Sequence, residues 1–237
     1  MPVACLYDVH GNLPALEAVL ADPAFLSADI VVVGGDVLPG PFPLEVVEAL
    51  EALGEPVRML RGNGDRQPTV WDTERLGPGW VRQLAALPTT LAESVPGLGG
   101  VLFCHGSPRS DEEILTAISP PQRVRPMLEG VTQPVVVCGH THVQFDRLVD
   151  GTRLVNAGSV GMPYEADPGH AFWCLLGPGV ELRHTAYDAE AAAARIAATG
   201  MPDAEAWAQE YVLEQHPAGE ATEFFEQMAA GGTAEGE

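Results

Sequence analysis

The sequence predicts an α/β protein, and three observations carry that prediction. Short apolar, β-branched runs such as residues 29–33 and 134–138 alternate with stretches whose apolar residues recur at helical spacing. Most of these runs stop abruptly at glycine, which permits a sharp turn and close backbone approach. Asp, Asn or His follows the stops at Asp8/His10, Asp36, Asn63, His105 and His140/His142. Open α/β sheets place their sites at these carboxyl ends of strands.

Taken in order, residues 3–7 form the first strand, ahead of Asp8, His10, Gly11 and Asn12. Leu13, Leu16, Val19 and Leu20 then repeat at helical spacing with Pro14 in the first turn, half of a β-α-β unit. Residues 29–33 are the second strand, running into Gly34, Gly35 and Asp36. Pro39, Gly40, Pro41 and Pro43 exclude regular structure, and a helix follows over 44–53, closed by Gly54. A third strand, 57–60, leads into Gly62, Asn63, Gly64, Asp65 and Arg66. Residues 67–80 are rich in Pro, Gly and polar groups and read as loop, with a helix over 80–87.

Strands follow at 89–95 and 101–104, joined through Gly99 and Gly100, and the second runs into His105 and Gly106. A short helix at 123–128 precedes the strand 134–138, which stops at Gly139 before His140 and His142. In an extended segment, residues two apart project to the same side, so both rings can address one point. Asp150-Gly151 signals a hairpin between 145–149 and 152–155, and Gly177-Pro178-Gly179 another between 171–176 and 180–187. Asp188 caps an alanine-rich helix ending near 199, and a last helix covers 203–215. Residues 1–216 read as a single domain with the helices of 188–216 packed on it, as a lid or a buttress. Residues 217–237 read as an acidic, weakly ordered tail, with 231–237 disordered.

Composition bounds the function. A chain of 237 residues can bury a substantial core. No apolar stretch is long enough to cross a bilayer, and the start lacks the basic region and cleavage site of a secretory leader, so a cytoplasmic location is expected. The formal charge is −21 and lysine is absent, which argues against long nucleic acids and membrane surfaces as partners. A small phosphorylated substrate stays compatible, because bound cations reverse the local field. Cys5, Cys104, Cys138 and Cys174 sit inside apolar runs without close spacing, as reduced, buried side chains do. Nothing in the sequence signals an oligomeric state.

Four of the seven histidines fall at the strand ends. Imidazole with carboxylate and amide oxygen suits Mn, Fe, Zn, Co or Ni, and the chemistry suggested is a two-metal site. A carboxylate shared by two cations would fix their separation and polarise a bridging water, whose pKa falls from roughly 15.7 to about 7 on coordination. Such a pair clamps the attacking and leaving oxygens of an in-line phosphoryl displacement.

Asp8-x-His10-Gly11-Asn12, Gly35-Asp36, Gly62-Asn63-x-Asp65, His105-Gly106 and Gly139-His140-x-His142 together resemble the calcineurin-like metallophosphoesterase signature, with all blocks in the family's order over residues 3–163. Asp36…Gly40-Pro41 and Asn156-x-Gly158-Ser159-Val160-Gly161 look most like its small bacterial phosphodiesterase and predicted diadenosine-tetraphosphatase branch. The resemblance implies a four-layer sandwich of two mixed sheets flanked by helices. It implies one metal held by Asp8, His10, Asp36 and His142, and a second by Asp36, Asn63, His105 and His140, with Asp36 bridging. It further implies catalytic roles for Asn63, Asp65 and His105 and hydrolysis of phosphodiesters or phosphoanhydrides by a metal-bridging hydroxide.

Two positions depart from the pattern. Gly64 stands where many phosphatases of the superfamily have a histidine that protonates the leaving group. A general acid contributes about 10²–10⁴-fold, so its loss favours phosphodiesters, phosphoanhydrides and nucleotide-like substrates over phosphoserine proteins. Tyr164-Glu165 replaces a basic-acidic pair. The rival readings are a metal-binding scaffold with the same fold and a serine/threonine-type protein phosphatase.

Other residues carry two readings each. Asp65 either orients a ligand or caps a turn. Arg66 either contacts phosphate or pairs with Asp65 or Asp72. Asn12 donates to phosphate or caps the following helix, the latter being favoured. Ser159 and Tyr164 are further substrate candidates, against a solvated loop role. His170, His184 and His216 lie off the strand ends and read as ordinary, while Trp207, Tyr211 and Leu213 read as helix packing.

Overall fold

Alternation along the first strand, β1 (Val3–Leu6), divides the apolar residues between two cores. Val3, Cys5 and the following Tyr7 enter a core between two sheets, whereas Ala4 and Leu6 face a core under helices, because successive side chains project to opposite faces. Buried on both sides, such strands read as continuous hydrophobic runs. The computed structural model describes residues 1–231. After β1 come α1 (Leu13–Ala21), β2 (Ile30–Gly34), α2 (Pro43–Glu51), β3 (Val57–Leu60), α3 (Val70–Ala85), β4 (Thr90–Val95), β5 (Gly99–Cys104), α4 (Pro121–Met127) and β6 (Val135–Cys138). Two hairpins follow, β7 (Phe145–Val149) with β8 (Thr152–Asn156) and β9 (His170–Leu176) with β10 (Val180–Ala186). The chain then forms α5 (Ala189–Ala197), α6 (Ala204–Ala208), which runs on into a π-helical stretch, Gln209–Glu214, and α7 (Ala218–Gly231).

One sheet has the order β10-β9-β1-β2-β3 and the other β4-β5-β6-β8-β7. The pairs β1/β2, β2/β3, β5/β6 and β6/β8 are parallel, and the remaining pairs are antiparallel. The sheets meet face to face across a core that includes Val32, Leu60, Phe103, Val137 and Leu176. Leu16 and Val19 of α1, Val46 and Leu50 of α2 and Leu84 of α3 cover the outer face of the first sheet. Val124 and Met127 of α4 cover the second. The result is the four-layer α/β sandwich of two mixed sheets that the motif resemblance implies. The parallel strands β1, β2, β3, β5 and β6 thereby deliver Asp8, Asp36, Asn63, His105 and His140 to one edge.

Tyr7 ties the two sheets at that edge, its hydroxyl donating to the Val137 carbonyl at 3.1 Å. Its ring also explains one strand-end glycine: a Cβ on Gly139 would fall 2.5 Å from Tyr7 Cδ1 and 2.4 Å from Asp8 Oδ2. All four cysteines are buried and free, in keeping with the reduced state expected. No helix among the described residues is long and apolar enough to cross a membrane.

Two segments differ from expectation. Residues 67–80 are not loop, since α3 starts at Val70 under a capping box: Thr69 Oγ1 accepts from Asp72 N at 3.2 Å and Thr69 N donates to Asp72 Oδ2 at 2.8 Å. Gly77, at φ 72° and ψ 166°, breaks the helix into two segments and Pro78 opens the second, so the Gly-Pro signal marks a kink. The tail from Pro217, expected to be weakly ordered, contains helix α7. Its Glu226 accepts hydrogen bonds from Thr116 Oγ1 at 2.6 Å and Ser119 Oγ at 2.7 Å and pairs with Arg123. These tertiary contacts supply what local composition lacks. The expectation for 232–237 lies outside the described residues.

Candidate metal centre

Each strand end turns sharply. Asp8, His10, Asp36, His140 and His142 adopt φ values of 52°, 44°, 50°, 67° and 57°, a left-handed region that costs a non-glycine residue about 1–3 kcal/mol. Cross-loop hydrogen bonds hold them there: Asp8 N to Gly35 O at 3.1 Å, His10 N to Asp36 O at 3.0 Å and His140 N to Asp8 Oδ2 at 2.9 Å. Five strained ligand-type residues at one edge are a signature of a functional site.

The side chains converge. Asp8 Oδ1 lies 3.3 Å from His142 Nε2, 3.7 Å from His105 Nε2 and 3.9 Å from His10 Nε2. Asp36 Oδ2 lies 3.4 Å from His105 Nε2 and 3.8 Å from His10 Nε2. Each carboxylate therefore spends one oxygen on a backbone N–H and turns the other inward, since Asp8 Oδ2 accepts from His140 N and Asp36 Oδ1 from Gly64 N at 2.7 Å. His105 Nδ1 and His142 Nδ1 face the carbonyls of Gly34 at 3.0 Å and Met162 at 2.8 Å, so those nitrogens donate and each Nε2 points into the centre. The Asn63 amide lies between His140 Nδ1 and His105 Nε2, 3.0 and 3.2 Å away.

The electrostatics reflect four imidazoles and two carboxylates shielded from water. Burial opposes ionisation of Asp36, but the charge on His105 outweighs it and holds the carboxyl well below the usual range. Burial likewise disfavours a charged His105, yet Asp36 and Asp8 raise its pKa to about 10. His140 is lowered to about 4 by burial and by His105. His10 is also lowered, by burial and then by His142.

This donor set fits divalent cations. Asp8 Oδ1 and His10 Nδ1 are buried without a hydrogen-bond partner, and the Nε2 atoms of His10 and His142 face each other at 3.2 Å. Ligand atoms of Asp8, His10 and His142, and of Asp8, Asp36 and His105, lie within 4.8 Å of one another, so both groups have the spacing of a metal site. Asp8 belongs to both groups, whereas the resemblance implies Asp36 as the shared carboxylate; the inward oxygen of Asp36 also reaches imidazoles of both. Asn63 and His140 stand beside the second group.

A cation that takes His105 Nε2 must displace its proton. Loading metal-free protein at neutral pH should therefore release about one proton from this residue, and affinity should rise as pH approaches 10. An indicator dye in weak buffer reads the release. In the absence of metal, the raised pKa stabilises the fold fully below the unfolded value of about 6.5. That stabilisation is lost as pH climbs through about 10.

The remaining candidates are placed otherwise. Asp65, assigned a catalytic role above, is fully buried and does not face the centre. Its Oδ2 accepts from Asp36 N and Gly62 N at 2.9 Å each, and its Oδ1 from Val37 N at 2.9 Å and Leu38 N at 3.2 Å. It is a positioning residue. Burial and the Asp36 charge raise its pKa to about 7. Asn12 takes the favoured of its two readings, the helix cap, and not the substrate contact: its Oδ1 accepts from Ala15 N and its Nδ2 donates to Gly161 O at 2.8 Å. Arg66 pairs with neither Asp65 nor Asp72; its guanidinium is held by Asp111, at 3.0 and 3.2 Å, and by Glu112. Ser159 is buried, donating to Asp8 O at 2.7 Å and accepting from Met162 N at 2.8 Å, which leaves it no proton to donate to a phosphate. Tyr164 alone reaches the rim, stacked on His142 with ring centroids 5.0 Å apart.

Sequence reasoning missed Phe225, whose ring lies 6.5 Å from that of His140 and 6.2 Å from Tyr164. The paired phenylalanines were its one visible signal, and they stand in a stretch of tail-like composition. Gly64 also gains a physical reason: a Cβ there would lie 2.3 Å from the Leu38 carbonyl oxygen. Gly64→Ala should lower stability by about 1–3 kcal/mol, read as a shift of the denaturant midpoint.

Comparison with known proteins agrees with this geometry. The model of the calcineurin-like phosphoesterase superfamily domain matches residues 1–175. A metallophosphoesterase from Sphaerobacter thermophilus is 27% identical, with a TM-score of 0.69, over 88% of this chain and 97% of its own. A hypothetical protein from Pyrococcus horikoshii OT3 is 20% identical with a TM-score of 0.74, over 90% and 99% of the two chains. The E. coli phosphoesterase YfcE is 23% identical with a TM-score of 0.50, over 79% and 100%. The last two likenesses are of fold. No curated protein matches the sequence.

Proposed function

The chain belongs to the calcineurin-like phosphoesterase superfamily, and within it we propose a hydrolase of phosphodiesters or phosphoanhydrides that works with two transition-metal cations (Mn, Fe, Zn, Co or Ni). Asp8, His10, Asp36 and His142 would hold one, and Asp36, Asn63, His105 and His140 the other. When bound, such cations polarise phosphoryl oxygens and acidify water. The observation that carries the reading is the buried Asp8 Oδ1, without a hydrogen-bond partner and ringed by three imidazole nitrogens.

The chain's own groups narrow the substrate. Asp8 and Asp36 are each pinned through one oxygen, so the inward oxygens stay oriented and little reorganisation is needed during reaction. Position 64 has no room for a side chain that could protonate a leaving group. His140, with its pKa lowered to about 4 by burial and by His105, is an uncharged imidazole at neutral pH and a poor acid. Ester oxygens that leave without a proton are therefore favoured, as in diesters of acidic alcohols and in anhydrides. Arg66 and Arg61 both face Asp111, which leaves their charge largely compensated.

The test is hydrolysis of bis(nitrophenyl) phosphate by protein loaded with Mn²⁺, Co²⁺, Ni²⁺ or Zn²⁺, against the same protein in EDTA. Nitrophenyl phosphate and a phosphoserine peptide serve as competitors. Cation-dependent turnover with the diester preferred is expected. Faster turnover of the monoester or peptide would overturn the substrate class, and metal content without turnover of any ester would point to a scaffold.

A further inference from the structure

A cavity of about 460 Å³ opens beside the metal centre, walled by rings from the loop after β8, from the π-helical stretch and from α7. Tyr164, Tyr211, Phe224 and Phe225 supply aromatic faces, and Glu210 and Glu220 supply carboxylates. No arginine lines it among the described residues. His216 closes one side, its ring 5.8 Å from Tyr164 at 70° and its Nε2 3.6 Å from Glu210 Oε1. Phe224 meets Phe225 at 70° and Tyr164 meets Phe225 at 37°. The lining rings thus meet one another at angles from 37° to 70°.

The cavity adjoins the centre, because two of its lining rings also meet candidate ligands: Tyr164 stacks on His142 and Phe225 approaches His140. Aromatic rings with carboxylates are the chemistry that holds an organic cation: ring faces attract positive charge through their quadrupole, and the acids add long-range attraction. The same lining would repel a second phosphate.

Resting on the phosphoesterase reading above, we propose that this aromatic cavity is a cation subsite, and that the substrate is a zwitterionic phosphodiester whose retained alcohol carries a quaternary ammonium group, as in a choline ester. The phosphate sits at the metal centre and the ammonium in the cavity, while the other alcohol leaves. Tyr164 and Phe225 touch both halves of the site, so they align the phosphate as well as bind the retained arm. Helix α7, held by Glu226, is then a specificity element built by the end of the chain.

Binding can be read without catalysis. Choline chloride and dimethylbutanol, its neutral isostere with carbon in place of nitrogen, are titrated calorimetrically into the metal-free full-length protein. Choline should bind at least about tenfold tighter than the isostere. Tyr211→Leu and Glu220→Gln should each weaken choline binding by about threefold or more while leaving the isostere nearly unchanged for the Glu220 variant. With metal present, nitrophenyl phosphorylcholine should exceed ethyl nitrophenyl phosphate in kcat/KM by a similar factor. Equal binding of choline and isostere, or tighter binding of adenosine or guanosine than of choline, overturns the proposal. If bis(nitrophenyl) phosphate is hydrolysed but choline does not bind, the subsite fails alone. If choline binds while no ester turns over, the hydrolase reading fails and the cation site stands.

Discussion

Asp36→Ala should lower turnover of a chromogenic diester by at least about a thousandfold, because it removes an inward oxygen and its charge from a centre where such groups act in low dielectric. The substitution also strips His105 of its main counter-charge and Gly64 N of its acceptor. Asp36→Asn separates these effects: an amide oxygen can still accept from Gly64 N, while the charge is gone. Both variants should lose bound metal, measured by elemental analysis, and Asn should retain more of the fold's stability than Ala. Turnover by Asp36→Ala within about tenfold of the parent would defeat the mechanism.

Asp65→Ala acts on a different quantity. It leaves the amides of Asp36, Val37, Leu38 and Gly62 without their acceptor in a fully buried place. Each buried, unpaired donor costs about 1–3 kcal/mol, so a loss of about 4 kcal/mol or more is expected. That is a large share of the roughly 5–15 kcal/mol that holds a typical domain together. Denaturant unfolding of the metal-free proteins reads it directly. Asp65→Asn should fall between, since one oxygen still accepts while the new amide N–H faces donors. A loss below about 1 kcal/mol in Asp65→Ala would show that these hydrogen bonds do not hold the loop.

Much of the site was legible because its residues are ligand types at fixed offsets from apolar runs. A strand's end and the glycine after it are local properties, so Asp8, His10, Asp36, Asn63, His105, His140 and His142 could be picked out before any fold was known. Roles that depend on what a side chain meets across the fold were not legible. Asn12, Arg66 and Ser159 have the chemistry to touch phosphate, yet each is held by a partner distant in sequence: Gly161, Asp111 and Asp8 respectively. Asp65 looked like a residue next to a ligand and proved to be the hub of two loops. Gly64 was visible as a departure, while the reason for it, the Leu38 carbonyl, lies in another loop.

The secondary structure divides the same way. Strands and hairpins announce themselves through β-branched runs and turn pairs, so they fall close to where they are expected. Helix α7 does not: Ala221, Phe224, Phe225 and Met228 fall at helical spacing, but the acidic, small residues around them give the stretch the composition of a tail. It is ordered by Glu226 reaching Thr116, Ser119 and Arg123, and by the rings it contributes to the cavity.

Chain order and residue type alone were thus enough to predict the α/β class and to pick out the metal-ligand types at the strand ends, since both follow from local pattern. Which of the polar residues remain free, which carboxylate oxygens face inward and what walls the approach to the centre were decided by folding. Those properties belong to pairs of groups far apart along the polypeptide, and only packing brings such pairs together.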